Sequence, residues 1–311
     1  MAKTLVVLNP NSSSGKAAKT WESVEPLLRE GGLDFDLTRT TGPNQAITLA
    51  EQAKRDGYET IIAASGDGTV NEIINGMLRA SNGEATGTFG VIPIGSGNDF
   101  AKMFPHPTTP ASPQPDWRAV VRHILAGDTR LVDIGKVVAS DQSRSGVRYF
   151  ANALDTGFGA QANNHAHEIP QLTGTAMYLA AVFKTLIRFT IDQVKIDLDH
   201  KSIEQWSTMI AVANGRCIGG GFWIAPDARN DDGLFDLMVA QGLGRIGILS
   251  LLPKVMKGTH VSDPRVQMAQ SSRVVIESRE PIMFETDGEI SFVGAYRLDI
   301  QILPKRLRVI A

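Results

Sequence analysis

Five short stretches of this 311-residue chain could do chemistry. Ser65–Glu72 (SGDGTVNE) follows an apolar run and opens a helical pattern. Its Gly66 and Gly68 permit positive φ and close backbone approach, and N–H groups at a helix start can point at an anion. Asp67, between the glycines, repels a phosphate unless it aligns a metal or an oriented donor. Pro93–Asp99 (PIGSGND) is a second compact loop with backbone and Ser96 donors and another acid, Asp99. Asn98-Asp99 also reads as a helix N-cap ahead of Phe100. Ala213–Asp236 (ANGRCIGGGFWIAPDARNDDGLFD) joins a triple glycine to a run of oxygen ligands suited to a hard divalent cation. It lacks EF-hand spacing, and an Asp-Asp-Gly hairpin turn explains it equally well. In Glu285–Glu289 (ETDGE), Asp287 beside Glu289 could take a proton from a hydroxyl, although such a string is also an ordinary polar hairpin. Asn9–Lys16 (NPNSSSGK) matches the second half of a Walker A loop, but Pro10 stands at its first glycine and Ala17 at its metal-binding hydroxyl.

The elements that must hold these stretches change character along the chain. Up to about residue 100, apolar strands (TLVVLN, TIIAAS, GTFGVIPIG) alternate with amphipathic helices at Ala17–Arg29, Gln45–Asp56 and Val70–Arg79. Continuous apolar strands between helices predict a doubly wound parallel sheet. A proline-rich loop, PHPTTPASPQPDW, and a short helix Trp117–Leu125 follow. Beyond a boundary placed at residues 130–135, β-like segments dominate, interrupted by apolar helical stretches Gly174–Phe189 and Ile246–Lys257. The second part therefore reads as antiparallel and β-rich.

Composition narrows the function classes. The net charge of -2 provides no basic field for nucleic acid. The lone Cys217 forms no disulfide within the chain and reads as a small packed residue, which sets a reducing cytoplasm as the expectation. The apolar stretches are shorter than the ~20 residues that span a bilayer, so any membrane contact is expected to be peripheral.

Taken in order, NPNSSSG, SGDGTVNE, PIGSGNDFA, NALDTGFGA, the GGG-x-x-I-A-P-x-A block with DARNDDGLFD, and TDGE resemble the diacylglycerol kinase catalytic domain family, shared with sphingosine and ceramide kinases. The length is most similar to the bacterial soluble YegS-like lipid kinases. The GDGT loop alone also suits NAD kinases and phosphofructokinases; the later blocks narrow the resemblance. It implies an α/β N-terminal nucleotide-binding domain, residues 1–132 with a returning strand 297–311, and an antiparallel β-sandwich-like lipid-substrate domain, 133–296. It implies ATP and Mg2+ as cofactors. The ATP site would comprise Asn9, Ser12, Ser13, Ser14, Gly15, Thr40, Ser65, Gly66, Asp67, Gly68, Thr69, Val70, Asn71 and Ser96. Asp287 would be the base, with Glu289 adjacent. A structural Mg2+ would take Asp232 and the carbonyls of Arg229 and Leu234, while Asp67, Asp99 and Asp133 would serve the ATP-bound metal. Ser65 and Ser96 depart from the family's usual Gly and Thr but stay small and retain a donor.

The expected activity is phosphorylation of a hydroxyl on a lipid such as diacylglycerol, by a cytoplasmic protein peripheral to the inner membrane face. An NAD kinase-like enzyme and a non-catalytic lipid- or nucleotide-binding regulator are the alternatives, and a homodimer is left open. The two apolar helices either pack on the β-domain or meet the bilayer. In HAHE, His165–Glu168, i,i+2 histidines diverge on a helix, which disfavours a metal site.

Overall fold

The computed structural model describes residues 3–84, 87–104, 115–141, 143–169 and 174–311. The chain divides into two compact units, Met1–Val132 with Lys305–Ala311, and Asp133–Pro304.

In the first unit, β1 (Thr4–Leu8), α1 (Lys16–Glu30), β2 (Asp36–Arg39), α2 (Gln45–Arg55), β3 (Thr60–Ser65), α3 (Asp67–Ala80), β4 (Thr88–Pro93) and α4 (Trp117–Ala126) alternate. β1 pairs in parallel with β2 and β3, and β3 with β4. β1 is buried throughout and β3 from Ile61 on, because helices cover both faces and leave no polar face to alternate with. α1 buries Ala17, Trp21, Val24 and Leu28, a stripe at helical spacing. α4 begins where Asp116 accepts from the N–H groups of Arg118 and Ala119. The proline-rich run 105–114 lies outside the described residues.

Helix α3 begins earlier than the sequence pattern predicts. Asp67, Gly68 and Thr69 form its first turn, and Gly66 is its N-cap with extended backbone. An acid in the first turn complements the helix dipole, so GDGT serves as a helix start instead of a loop ahead of one.

The second unit begins within β5 (Thr129–Ser140), which forms a hairpin with β6 (Ser145–Phe150). Then follow β7 (Ala153–Gly157), α5 (Phe158–His167), α6 (Gly174–Arg188), β8 (Asp192–Leu198), β9 (Ser202–Ala213), β10 (Phe235–Gln241), α7 (Arg245–Met256), β11 (Val266–Ser271), β12 (Arg273–Thr286) and β13 (Glu289–Ile310). β5–β6, β7–β9, β7–β12, β8–β9, β8–β12, β9–β10, β10–β11 and β12–β13 pair antiparallel. The chain returns to the first unit after Pro304, where Arg308 and Val309 pair in parallel with Thr88 and Phe89 of β4.

β7 and β8 act as one interrupted strand. β7 pairs with the later halves of β9 and β12 (Gly157 with Met209, Thr156 with Phe284), and β8 with their earlier halves (Asp192 with Ser207, Val194 with Ser278). The helical hairpin α5–α6 is inserted at the break. One strand face packs Leu154, Ile210, Val212, Phe235 and Phe284 into the main core. The opposite face sets Ala153, Ala211, Ala213 and Met238 against Leu251 and Val255 of α7. β12 runs unbroken through Arg279, Glu280 and Pro281, and its register against β13 shifts between Glu277 and Ile282.

Candidate active site

In the first unit, the loops after β1, β3 and β4 and Thr40 after β2 all lie at the carboxyl ends of parallel strands, where open α/β sheets bind ligands. Three bonds, two of them short, tie the loops together. Asn9 Nδ2 donates to Thr69 Oγ1 at 2.8 Å, Ser13 Oγ donates to the Ile94 carbonyl at 2.9 Å, and Gly66 N–H reaches Ser12 Oγ at 3.4 Å. Ser13 Oγ also lies 3.4 Å from Ser96 Oγ. Ser13, Ser14 and Gly15 are successive left-handed residues, so the chain turns sharply into α1 and leaves Lys16 exposed.

The glycines of the other two loops meet each other. A Cβ on Gly95 would lie 2.3 Å from the Gly66 Cα and 2.6 Å from Asn98 Oδ1, and one on Gly66 would lie 3.0 Å from the Gly95 Cα. Neither Gly66 nor Gly68 has positive φ, so close backbone approach is what the motif requires. Asn98 does not act as a side-chain N-cap. Its Oδ1 accepts from Gly95 N–H at 2.9 Å and its Nδ2 donates to the Gly95 carbonyl at 2.9 Å, clamping the loop.

The acids here are held in place. Asp67 Oδ1 accepts from Phe100 N–H at 3.1 Å, and Asp99 Oδ1 pairs with Lys102 Nζ at 2.9 Å. Ser65, Thr69, Val70, Asn71 and Thr40 are buried, so Val70 has backbone alone to offer a ligand. Glu72 has a task that sequence patterning missed. Its carboxylate accepts from Asn44 and Ala46 N–H and caps α2.

In the second unit, Asp287 and Gly288 have φ of 51° and 87° and join β12 to β13 as a two-residue hairpin. The Asp287 carboxylate accepts three backbone N–H groups, from Ala151 at 2.9 Å, Asn152 at 2.9 Å and Ala153 at 3.0 Å. Glu289 is exposed. Asn214 Nδ2 donates to the carbonyls of Ala151 and Asp133. Asp133, fully buried, accepts Gly233 N–H at 2.7 Å and donates its own N–H to the Asn230 carbonyl. Asp133 is thus brought to the DARNDDG turn, while Asp67 and Asp99 belong to the other unit. The buried asparagines of this network stand in NALD and ANG, the signal from which they could have been read.

At that turn, Asp232 Oδ1 accepts from Leu234 N–H at 3.1 Å, and the exposed Arg229 pairs with Asp231. Asp236 has a buried oxygen, Oδ2, without a hydrogen-bond partner among the described residues. Burial pushes its carboxyl up, and the charges of Asp232 and Asp227 add to the shift. Carboxylates and carbonyls with uncompensated negative charge suit a hard divalent cation. Among the described residues, no three His, Cys, Asp or Glu side chains converge as a ligand set. Gly219 and Gly220, both left-handed, turn the chain between Ile218 and Phe222. Cys217 is buried. His165 Nδ1 meets Thr185 Oγ1 at 2.8 Å.

Residues 152–311 match the family model of the YegS C-terminal NAD kinase beta sandwich-like domain, and residues 3–137 that of the diacylglycerol kinase catalytic domain. A diacylglycerol kinase of Bacillus subtilis strain 168 is 26% identical over 315 residues, covering 98% of this chain and 97% of that one. A diacylglycerol kinase of Mycobacterium tuberculosis H37Rv is 28% identical over 312 residues, covering 100% and 95%. The crystal structure of a diacylglycerol kinase from Bacillus anthracis shares the fold, with a TM-score of 0.71 at 20% identity over 99% of this chain and 96% of that one.

Proposed function

The chain belongs to the diacylglycerol kinase-like lipid kinases, and we propose that it uses ATP and Mg2+ to phosphorylate a hydroxyl of a lipid such as diacylglycerol. The observation that carries the reading is the contact of Gly66 with Gly95 at the carboxyl ends of β3 and β4, ringed by small hydroxyl side chains. A triphosphate needs bare backbone and small donors of this kind, and phosphoryl transfer depends mainly on positioning and charge neutralisation. Asn9, Ser12–Gly15, Thr40, Ser65–Asn71 and Ser96 form the nucleotide site in this reading.

Asp67 and Asp99 would serve the nucleotide's Mg2+, and Asp133 supports the turn whose Asp232 and Arg229 and Leu234 carbonyls would hold a structural one. When bound, Mg2+ offsets negative charge on the phosphates. Asp287 orients the lipid hydroxyl and accepts its proton, beside Glu289. Its three N–H donors fix the carboxylate's direction, and a loose transition state asks more for that orientation than for a strong base.

In this reading the acceptor's apolar chains would lie against the second unit. A cavity of about 60 Å³ opens among Phe158, Met209, Ile224, Met238, Leu243 and Leu251. Ile187 of α6 and Ile246 of α7 are 68% and 85% exposed, and Arg245 Nη2 donates to the Ile187 carbonyl. This apolar edge suits a peripheral membrane contact. No helix among the described residues is long and apolar enough to cross a membrane.

The test is incubation with labelled ATP and Mg2+, offering total lipid extract in one arm and NAD in the other. A labelled phospholipid identified by mass spectrometry is expected. Label in NADP, or turnover independent of lipid, would sink the assignment.

A further inference from the structure

Behind the Asp287 turn lies a second pair of acids that the mechanism above does not use. Asp155 of β7 and Glu285 of β12 are direct partners across neighbouring strands and point to the same sheet face. They are 2% and 6% exposed. One oxygen of each, Asp155 Oδ1 and Glu285 Oε2, is buried and accepts no hydrogen bond from any described residue, and the Cβ atoms of directly opposed residues lie only about 4.5–5.5 Å apart. The face around them is closed. Ala211 is Asp155's neighbour on β9, and a Cβ on Gly159 of α5 would lie 2.6 Å from Asp155 Oδ1. The polar neighbours are the Ala160 N–H beside Asp155 and Asn163 beside Glu285, and the further charge acting on Glu285 is that of Glu289, of the same sign.

Two buried acceptors without another donor are satisfied when one proton lies between them. Burial pushes both carboxyls up, and the charge of Asp155 adds to the shift of Glu285. The consequences reach the turn by two short routes. Glu285 lies two residues before Asp287 at the end of β12, and Asn163 Nδ2 donates to the Gly288 carbonyl at 2.6 Å.

We propose that Asp155 and Glu285 share a single proton and act as a positioning pair, holding β7, β12 and α5 in the arrangement that presents Asp287. Loss of that proton leaves two adjacent buried charges, which repel and loosen the turn. Asp155 and Glu285 touch no reacting atom and are not catalytic residues.

This role rests on the reading of Asp287 as the base. The measurement is the pH profile of kcat and KM for ATP, with infrared spectra of the folded enzyme at neutral pH. A protonated-carboxyl band is expected in the wild type and reduced in Glu285→Gln. The wild-type kcat is expected to fall on the alkaline side, about tenfold per pH unit past the midpoint, with KM for ATP flat. Glu285→Gln leaves Asp155 as the lone carboxyl, so the site never holds more than one negative charge and the variant should lack that arm. Asp155→Asn, which likewise can never hold two charges, should lack it as well. No protonated-carboxyl band in the wild type overturns the proposal, whether or not the variants fold. An identical alkaline arm in Glu285→Gln, with Asp287→Asn inactive, overturns the pair alone. An Asp287→Asn enzyme of near wild-type rate overturns the base reading and with it the positioning role, while the band still reports the shared proton.

Discussion

Asp287 combines two features that usually mark a functional position: a non-glycine residue in the left-handed region, and a side chain held by groups distant in sequence. Asp287→Asn keeps the size but replaces one acceptor oxygen with a donor, which then faces the N–H of Ala151 or those of Asn152 and Ala153. Turnover should drop about 10²–10⁴-fold, the usual worth of a proton acceptor, while ATP still binds. A calorimetric ATP titration beside a lipid-kinase assay checks both halves, and a variant within a few-fold of wild type excludes the base role. Lys16, which a Walker A loop would need at the phosphates, is exposed beyond the turn. In the proposed nucleotide site Pro10 and Ala17 are no defects, because the paired glycine loops would supply the bare backbone.

At the scale of elements, the loops after β3 and β4 depend on each other. Gly95→Ala would drive a methyl group to 2.3 Å from backbone, whereas Gly66→Ala meets it at 3.0 Å. Overpacking of this kind costs about 1–3 kcal/mol, so Gly95→Ala should lower the thermal midpoint and ATP affinity more than Gly66→Ala. The reverse order would refute the packing argument. The DARNDDG turn has its own test. If a cation occupies it, saturating Mg2+ should raise wild-type stability by about 2.7 kcal/mol at a hundredfold excess over Kd, and Asp232→Ala should lose that gain. Coincident wild-type melts in Mg2+ and in chelator would reduce the turn to a hairpin.

At the scale of the molecule, the second unit contains two acid groups whose pH effects have opposite sign. Asp263 is ion-paired with Arg265 and Lys254, each at 2.8 Å. The Arg265 guanidinium, then Lys254, holds its carboxyl far below the usual range. A depressed folded pKa contributes stability above the ordinary carboxylate pKa and loses it as pH falls toward the folded value. Asp155 and Glu285 are shifted upward, so their contribution is lost as pH rises. Thermal midpoints should fall on both sides of a maximum, and Asp263→Asn should flatten the acid side alone. An unchanged acid limb in that variant would disprove the assignment.

The sequence by itself determined the alternation of buried strands and helices in the first unit, the β-rich second unit and the chemical character of each loop. Those signals are local, since a strand covered on both faces must be apolar along its length and a turn with positive φ favours Gly or Asn. Tertiary structure alone decided that GDGT opens a helix, that Gly66 meets Gly95, that β7 and β8 are one strand split by a helical hairpin, and that Asp155 faces Glu285. Each of these depends on strand register or loop packing between segments far apart in the chain. A one-residue slip in register would turn either acid to the other face of the sheet, and no local pattern reports that choice.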